Sequence, residues 1–407
     1  MNKKIFYILF ALLFFSCQSL GLNKNNPKVW NKGAMVSAAN PYAVKAAISI
    51  LEKGGSATDA AIAAHLVLGL VEPQSSGLGG GGFILNYDFK TNNLTFIDGR
   101  ETAPASAKID MFMKDDGNVM SFMEAVPSGK AVGTPGIVAL YETAHKAYGL
   151  LPWPMLFEDA INLSKNGFIV SPRLANYVEL AEKRGRLSKN PLTKKYFYPN
   201  GVKIKSGDLL KNPEYANTLK AIAKEGAIAF YNSNIAKEIV SAVNADPHPG
   251  EMTLVDLKNY NAVLRPVICG PFRNMKICTT SPPSSGGAQI MIAGLYDQLI
   301  NNESNESEKI SAFVDAQRLA YADRDHFFGD PDEVNIPLEA LLDPKYIRDR
   351  AKQRFLPDAI PTPGDPSSII DTLANFPTWG KDNTVEAAGT THLSIIDQNG
   401  NAVSMTA

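Results

Sequence analysis

Histidine and cysteine are scarce in this sequence, and their scarcity removes whole classes of chemistry. The five histidines, at 65, 145, 248, 326 and 392, stand at no zinc-ligand spacing, and the three cysteines form no paired-cysteine motif. A resident metal or other cofactor is therefore not expected. The G-x-S-x-G pattern of a serine nucleophile elbow is missing too. Charge is balanced at 40 basic against 41 acidic residues, with no long block of either sign, so neither nucleic acid nor an anionic membrane surface is implied as a partner. Carboxylates are plentiful, but no spacing singles out an acid/base pair for glycoside hydrolysis. Past the N-terminus, the longest apolar run, Ala60 to Val71, contains His65 and is too short to span a bilayer.

What is present is an ordinary globular composition. With 45% hydrophobic and 20% charged residues over 407 positions, the chain has ample material for a core, in one large domain or two or three small ones. The first residues stand apart from it. Lys3 and Lys4 precede the apolar run Ile5 to Phe15 and then small Ser16, which reads as an export signal rather than a spanning helix. Cys17, directly after a small residue, also resembles the end of a bacterial lipoprotein signal, where the cysteine is acylated; Phe14 departs from the usual leucine of that pattern. Residues 1–17 are thus read as a signal peptide with Cys17 as a lipidation candidate. The mature protein is expected in the periplasm or anchored to a membrane by lipid.

Export gives the other two cysteines a meaning. Cys269 and Cys278 flank Pro271 to Lys276, and a two-residue turn at Arg273-Asn274 sets them opposite each other on two strands. Theirs is a non-hydrogen-bonded pair with Cα atoms about 4.5 Å apart, at the short edge of disulfide geometry. A bridge in an oxidising compartment and two half-buried free thiols both stay open.

In chain order, Ala34 to Ala38 reads as a short strand, and Asn40-Pro41 caps a helix that stops at Gly54-Gly55. Ser56 and Asp59 open a second helix, apolar all round and deeply buried, in which His65 is a core residue. Gly77 to Gly82 spells G-x-G-x-x-G. A dinucleotide site needs that string after a strand and before a helix; here it follows a helix and enters the strand Phe83 to Tyr87, which leaves only a loop passing very close to backbone or ligand. A hairpin ends at Asp98-Gly99-Arg100-Glu101, where Arg100 suits two-pronged capture of a carboxylate, or simply pairs with Glu101 or Asp98. Residues 105 to about 260 read as a covering layer of helices. Ser281-Pro282-Pro283-Ser284-Ser285-Gly286-Gly287 precedes a helix from Ala288 to Ile300, another helix runs from Lys309 to Asp325, and the stretch from Pro361 to Ala388 has the composition of a mobile segment.

Near the end, Thr390 to Asp397 is rich in β-branched residues and breaks at Asn399-Gly400, so it forms one strand of a hairpin whose second strand begins near Ala402. Threonines opening a strand commonly mean only β-propensity. A chemical role needs a base beside the hydroxyl, and the free α-amine of the same residue is one, with a pKa of roughly 7.7–8.0. That amine exists only if the Gly389–Thr390 bond is cut, and glycine reaches the backbone conformations such a strained peptide needs.

The run TTHLSIIDQNGNAVSMT is similar to the start of the small subunit of γ-glutamyltranspeptidases, enzymes of the N-terminal-nucleophile hydrolase class. VEPQSSGLGGGGF, DGRETAP, PPSSGG and FFGDPD resemble their large subunit. The resemblance implies an α+β fold, a four-layer αββα sandwich, with residues 28–389 as the large-subunit region and 390–407 as the beginning of a truncated small subunit. It implies cleavage at Gly389–Thr390, with Thr390 as nucleophile, or Thr391 if the cut falls one residue later, and Arg100 as the anchor for a substrate α-carboxylate. It also implies a small-subunit partner, glutathione and other γ-glutamyl compounds as donors, and water, amino acids or dipeptides as acceptors. The family's small subunit continues well past the point matched by Ala407 and holds further substrate contacts and the oxyanion hole, so residues 18–407 alone are expected to be inactive. Two alternatives accompany this reading. One is a related amidohydrolase, such as a β-lactam acylase or a poly-γ-glutamate depolymerase; the other is a non-catalytic anchored binding protein.

Overall fold

The computed structural model describes residues 31–184, 187–188, 190–245, 248–353, 355–370 and 389–407. The signal region with Cys17 lies outside the described residues.

Helix α1 (Pro41–Glu52) begins where its letters dictate: the Asn40 side chain accepts the Tyr42 N–H, and Pro41 takes the first helical position, where no donor is needed. In α2 (Ala57–Val71) Ser56 and Asp59 satisfy each other's backbone N–H groups as a capping box. Every residue of α2 except Gly69 is buried. Each fully buried Leu, Ile or Val there contributes about 1.5–3 kcal/mol relative to exposure, which makes α2 the centre of the core.

Apart from a two-residue pair, Phe168–Ile169 with Leu209–Leu210, that lies outside the layered sheets, the strands among the described residues are β1 (Met35–Ser37), β2 (Gly82–Asp88), β3 (Asn93–Gly99), β4 (Val263–Arg265), β5 (Val267–Phe272), β6 (Met275–Thr280), β7 (His392–Ile396) and β8 (Ala402–Thr406). Six of them form one antiparallel sheet in the order β1-β7-β8-β2-β3-β4. The C-terminal hairpin thus enters the middle of a sheet whose other strands, from Met35–Ser37 to Val263–Arg265, come from far earlier in the sequence. Alternation sets its faces: Leu393, Ile395, Val403, Met405, Ile84 and Ile97 are buried in the main core with α2 and α3 (Ile137–Tyr148). On the opposite face Leu85, Tyr87, Leu94 and Ile396 line an open apolar trough.

Hairpin β5–β6 lies against β2 and β3 and is backed by α4 (Gly286–Leu299), with α5 (Glu306–Phe327) and α6 (Pro344–Ala351) packed behind. The approach of α4 is close enough that a Cβ on Gly270 would fall 2.2 Å from Ile290 Cγ2. The layers therefore run helix, sheet, sheet, helix, the second sheet being this two-stranded piece among the described residues. Cys269 and Cys278 are direct cross-strand partners with Cα atoms 4.1 Å apart and sulfurs bonded at 2.15 Å.

Two points differ from the sequence reading. Three-residue β1 and the ends of α4 and α5 shift by one to three positions, as helix and strand termini do. More substantively, the stretch from Pro361 begins strapped rather than mobile. Arg350 and Asp323 form a fully buried ion pair at 2.8 Å; Arg350 donates to the Thr362 carbonyl at 2.7 Å, and Asp323 accepts the Gly364 N–H at 2.7 Å and the Tyr346 hydroxyl at 2.8 Å. Removing either member of the ion pair would strand a charge in the interior at a cost of about 3–5 kcal/mol, and the hydrogen bonds from that pair hold residues 362–364. Residues 371–388 lie outside the described residues.

Candidate active site

The site is built at one edge of the six-stranded sheet. Beyond the last residues of β7 and β8, Thr391 and Ala407 continue the ladder, the Thr391 N–H donating to Ala407 O at 2.8 Å and the Ala407 N–H to Thr391 O at 3.0 Å. Gly82 follows on β2 beside Ala407, and Gly82 pairs with Gly99 on β3. Thr390 and Arg100 are each one residue outside this row, so they leave the same edge. Three strand spacings separate their chains, roughly 14 Å.

Glycine is required along this row by close approach. No glycine from 77 to 82 has a positive φ. Instead, a Cβ on Gly81 would lie 2.5 Å from Gly99 O, and one on Gly82 would lie 2.8 Å from Thr406 O. Gly80 O accepts the N–H groups of Gly136 and Ile137 at 2.9 and 3.0 Å, tying the loop to the start of α3. The G-x-G-x-x-G string therefore packs the two strand ends that carry Thr390 and Arg100.

The pleat separates the two threonines. Thr390 is exposed, as is Gly389 before it. Thr391 is 4% exposed, and its hydroxyl has no hydrogen-bond partner among the described residues. An incoming carbonyl can reach the first hydroxyl and not the second. Two residues along, on the face of Thr390, His392 shares hydrogen bonds with Thr406 Oγ1 at 2.8 Å through Nδ1 and with Ser394 Oγ at 3.2 Å through Nε2. Burial lowers its pKa, so the ring is neutral at neutral pH. This cluster escaped the sequence reading; its only signal is the polar set 392, 394, 404 and 406, which alternation puts on one face.

Arg100 carries its guanidinium largely in solvent, 61% exposed, with Nε 3.3 Å from Glu101 Oε2. Pairing with Glu101 is thus present, whereas Asp98 takes Arg265 as its partner. The main chain of Arg100 is held on both sides: Asp98 Oδ1 accepts its N–H at 2.8 Å, and the Tyr260 hydroxyl donates to its carbonyl at 2.6 Å. In the Ser281–Gly287 loop, Ser284 hydrogen-bonds Thr280 at 2.7 Å and Ser285 meets Arg324 at 3.3 Å. A Cβ on Gly286 would fall 2.0 Å from Thr280 O, so this loop is built by packing. Cys269 and Cys278 lie on the separate hairpin. Among the described residues no group of three or more His, Cys, Asp or Glu could hold a metal, and no helix is long and apolar enough to cross a membrane.

The arrangement offers an exposed hydroxyl at a strand start, a neutral imidazole near it, and a cation on the same edge. Residues 43–407 match the family model described as gamma-glutamyltranspeptidase. The chain is 37% identical over 382 residues to the glutathione hydrolase proenzyme of Bacillus subtilis (strain 168), covering 92% of this chain and 64% of that protein. It is 32% identical over 419 residues to the capsule biosynthesis protein CapD proenzyme of Bacillus anthracis, covering 100% of this chain and 69% of that one. The crystal structure of Helicobacter pylori gamma-glutamyltranspeptidase superposes with a TM-score of 0.74 at 30% identity, covering 89% of this chain and 100% of that chain. The chain therefore spans a little under two thirds of the length of the Bacillus subtilis protein.

Proposed function

The chain belongs to the γ-glutamyltranspeptidase family, an enzyme family, and from that premise we propose that it is part of a glutathione hydrolase proenzyme that cuts itself before Thr390. On this reading residues 28–389 are the large-subunit region and 390–407 open the small subunit. The Thr390 hydroxyl attacks the Gly389 carbonyl carbon, the peptide becomes an ester, and water releases a Gly389 carboxylate and a free Thr390 amine.

The same hydroxyl then attacks the γ-amide carbon of glutathione. The new amine, titrating near neutrality, accepts the hydroxyl proton and passes it to the departing amine. A threonyl ester of the γ-glutamyl group remains, and water, an amino acid or a dipeptide releases it. Arg100 binds the α-carboxylate of that group as a two-pronged donor. Export by residues 1–17, with or without a lipid on Cys17, would place the enzyme where extracytoplasmic γ-glutamyl compounds are met.

The observation that carries this reading is the exposure of Thr390 at the same sheet edge as Arg100. Its test is the mass and N-terminal sequence of the product of the full reading frame, beside a Thr390→Ala version. Two pieces, one beginning at Thr390, are expected from the first and a single chain from the second; an uncut first protein sinks the proposal. A relative on the same scaffold acting on another amide is the second reading, favoured by the likeness to the capsule biosynthesis proenzyme. Equal rates on glutathione and on a glutaryl amide lacking the amino group would select it.

A further inference from the structure

Arg100 has an exposed side chain that pairs, among the described residues, with its neighbour Glu101, so little in the side chain itself decides where the guanidinium can reach. Its backbone is another matter. The N–H is fixed by Asp98 Oδ1 at 2.8 Å, and Asp98, 5% exposed, is fixed in turn by Arg265, whose Nε donates to Oδ2 at 2.6 Å. The two terminal nitrogens of Arg265 grip Asp332 as a fork, at 3.0 and 2.6 Å. Asp332 comes from the segment after α5, so this chain of contacts pins the end of β3 to a distant part of the fold.

From the other side, the Tyr260 hydroxyl donates to the Arg100 carbonyl at 2.6 Å. Its ring lies parallel to that of Tyr231, 5.8 Å between centroids and 8° between planes, and the Tyr231 hydroxyl donates to Pro135 O at 2.9 Å. The space for Tyr260 exists because residue 136 is glycine: a Cβ there would fall 2.1 Å from the Tyr260 hydroxyl and 2.2 Å from Gly99 O. Burial, followed by the nearby Asp98 and Glu101 carboxylates, pushes the phenol well above its ordinary pKa, so it stays a donor at any working pH.

We propose that Tyr260 and Arg265 are positioning residues for substrate recognition, holding the Arg100 backbone from opposite sides so that its side chain starts from a fixed point from which the guanidinium reaches the substrate α-carboxylate. The proposal rests on the reading of Arg100 as the carboxylate anchor. Neither residue touches substrate; both act by restricting an otherwise solvent-borne cation, and a displacement of about 1 Å at such an anchor is costly.

The test compares two anilides with the mature enzyme from the full reading frame: the γ-glutamyl anilide and the 4-aminobutyryl anilide, which lacks the α-carboxylate. Tyr260→Phe keeps the ring on Tyr231 and removes only the donor; Arg265→Lys keeps the charge and loses the fork. Each is expected to raise KM for the γ-glutamyl anilide by up to about tenfold, the size of one lost hydrogen bond, with kcat nearly unchanged. On the 4-aminobutyryl anilide neither change should matter, so the preference between the substrates shrinks. A loss of fold would depress both substrates alike and would overturn the proposal for that residue, and Tyr260→Phe is the milder variant that keeps the test open. Arg100→Ala separates the two levels of the argument. If Arg100→Ala erases the preference while Tyr260→Phe and Arg265→Lys leave it intact, the positioning role is wrong and the anchor stands. If Arg100→Ala leaves the preference intact, the anchor is wrong and the positioning role goes with it.

Discussion

Thr391 and Ala407 exchange both of their backbone hydrogen bonds, at 2.8 and 3.0 Å, and so act as the rung on which Thr390 stands. The candidate nucleophile is thus one residue beyond a hydrogen-bonded antiparallel pair, held by main chain on one side and exposed to solvent.

Gly82→Ala should disturb this rung. The added methyl would lie 2.8 Å from both Thr406 O and Ala407 Cβ, with backbone on one side that cannot swing away. The expected cost is about 1–3 kcal/mol of stability, read as a lower urea midpoint, together with slower self-cleavage of the full-length product. An unchanged midpoint and cleavage rate would show that the strand ends have slack.

Thr391→Val should be tolerated. The substitution is close to isosteric and removes a buried hydroxyl that has no partner among the described residues, so stability should hold or rise by up to about 1 kcal/mol. Cleavage should proceed, since the proposed nucleophile is the hydroxyl of the neighbouring Thr390. Loss of cleavage in this variant, measured by mass, would move the nucleophile to Thr391.

Asp397→Ala should be among the most damaging changes in the C-terminal hairpin. Asp397 is fully buried and accepts from the N–H groups of Asn399, Asn401 and Ala57, at 2.8, 3.0 and 3.2 Å, and from the Asn401 amide at 3.0 Å. It joins the turn to the start of α2, and Gly400 supplies the positive φ, 83°, that closes that turn. Leaving those donors unpaired should cost about 2–4 kcal/mol, measured by denaturant unfolding, with Asp397→Asn intermediate.

Stability should fall between pH 6.5 and 4 because of His65. Burial brings its pKa down from 6.5 to about 4. Between those values the unfolded chain binds a proton and the folded one does not, so acid favours unfolding. The contribution is whole above pH 6.5 and declines as pH drops, by about 3 kcal/mol in all at about 1.4 kcal/mol per unit. His65→Phe should flatten that part of the stability profile; an identical slope in both proteins would contradict the buried neutral histidine.

Cys269 and Cys278 should register as a bridge in intact mass. Protein made in an oxidising compartment is expected to gain two hydrogens on reduction, and no gain would mean that the pair is two thiols.

The letters alone were enough for local matters with local causes. Asn40-Pro41 and the Ser56/Asp59 box start helices in the way their side chains dictate, Asn399-Gly400 turns a hairpin, and G-x-G-x-x-G in the wrong context rules out a dinucleotide site. Motif likeness likewise pointed to Thr390 and Arg100. What no spacing in the sequence contained was their common edge, which exists because strands separated by some three hundred residues pair in one sheet. Register then decided which threonine is exposed, since side chains alternate between a packed and an open face. The hold on Arg100 by Asp98, Arg265 and Tyr260, and the strap on residues 362–364, were equally invisible: both are hydrogen-bond geometries between distant segments, and a one-dimensional pattern carries no distances across them.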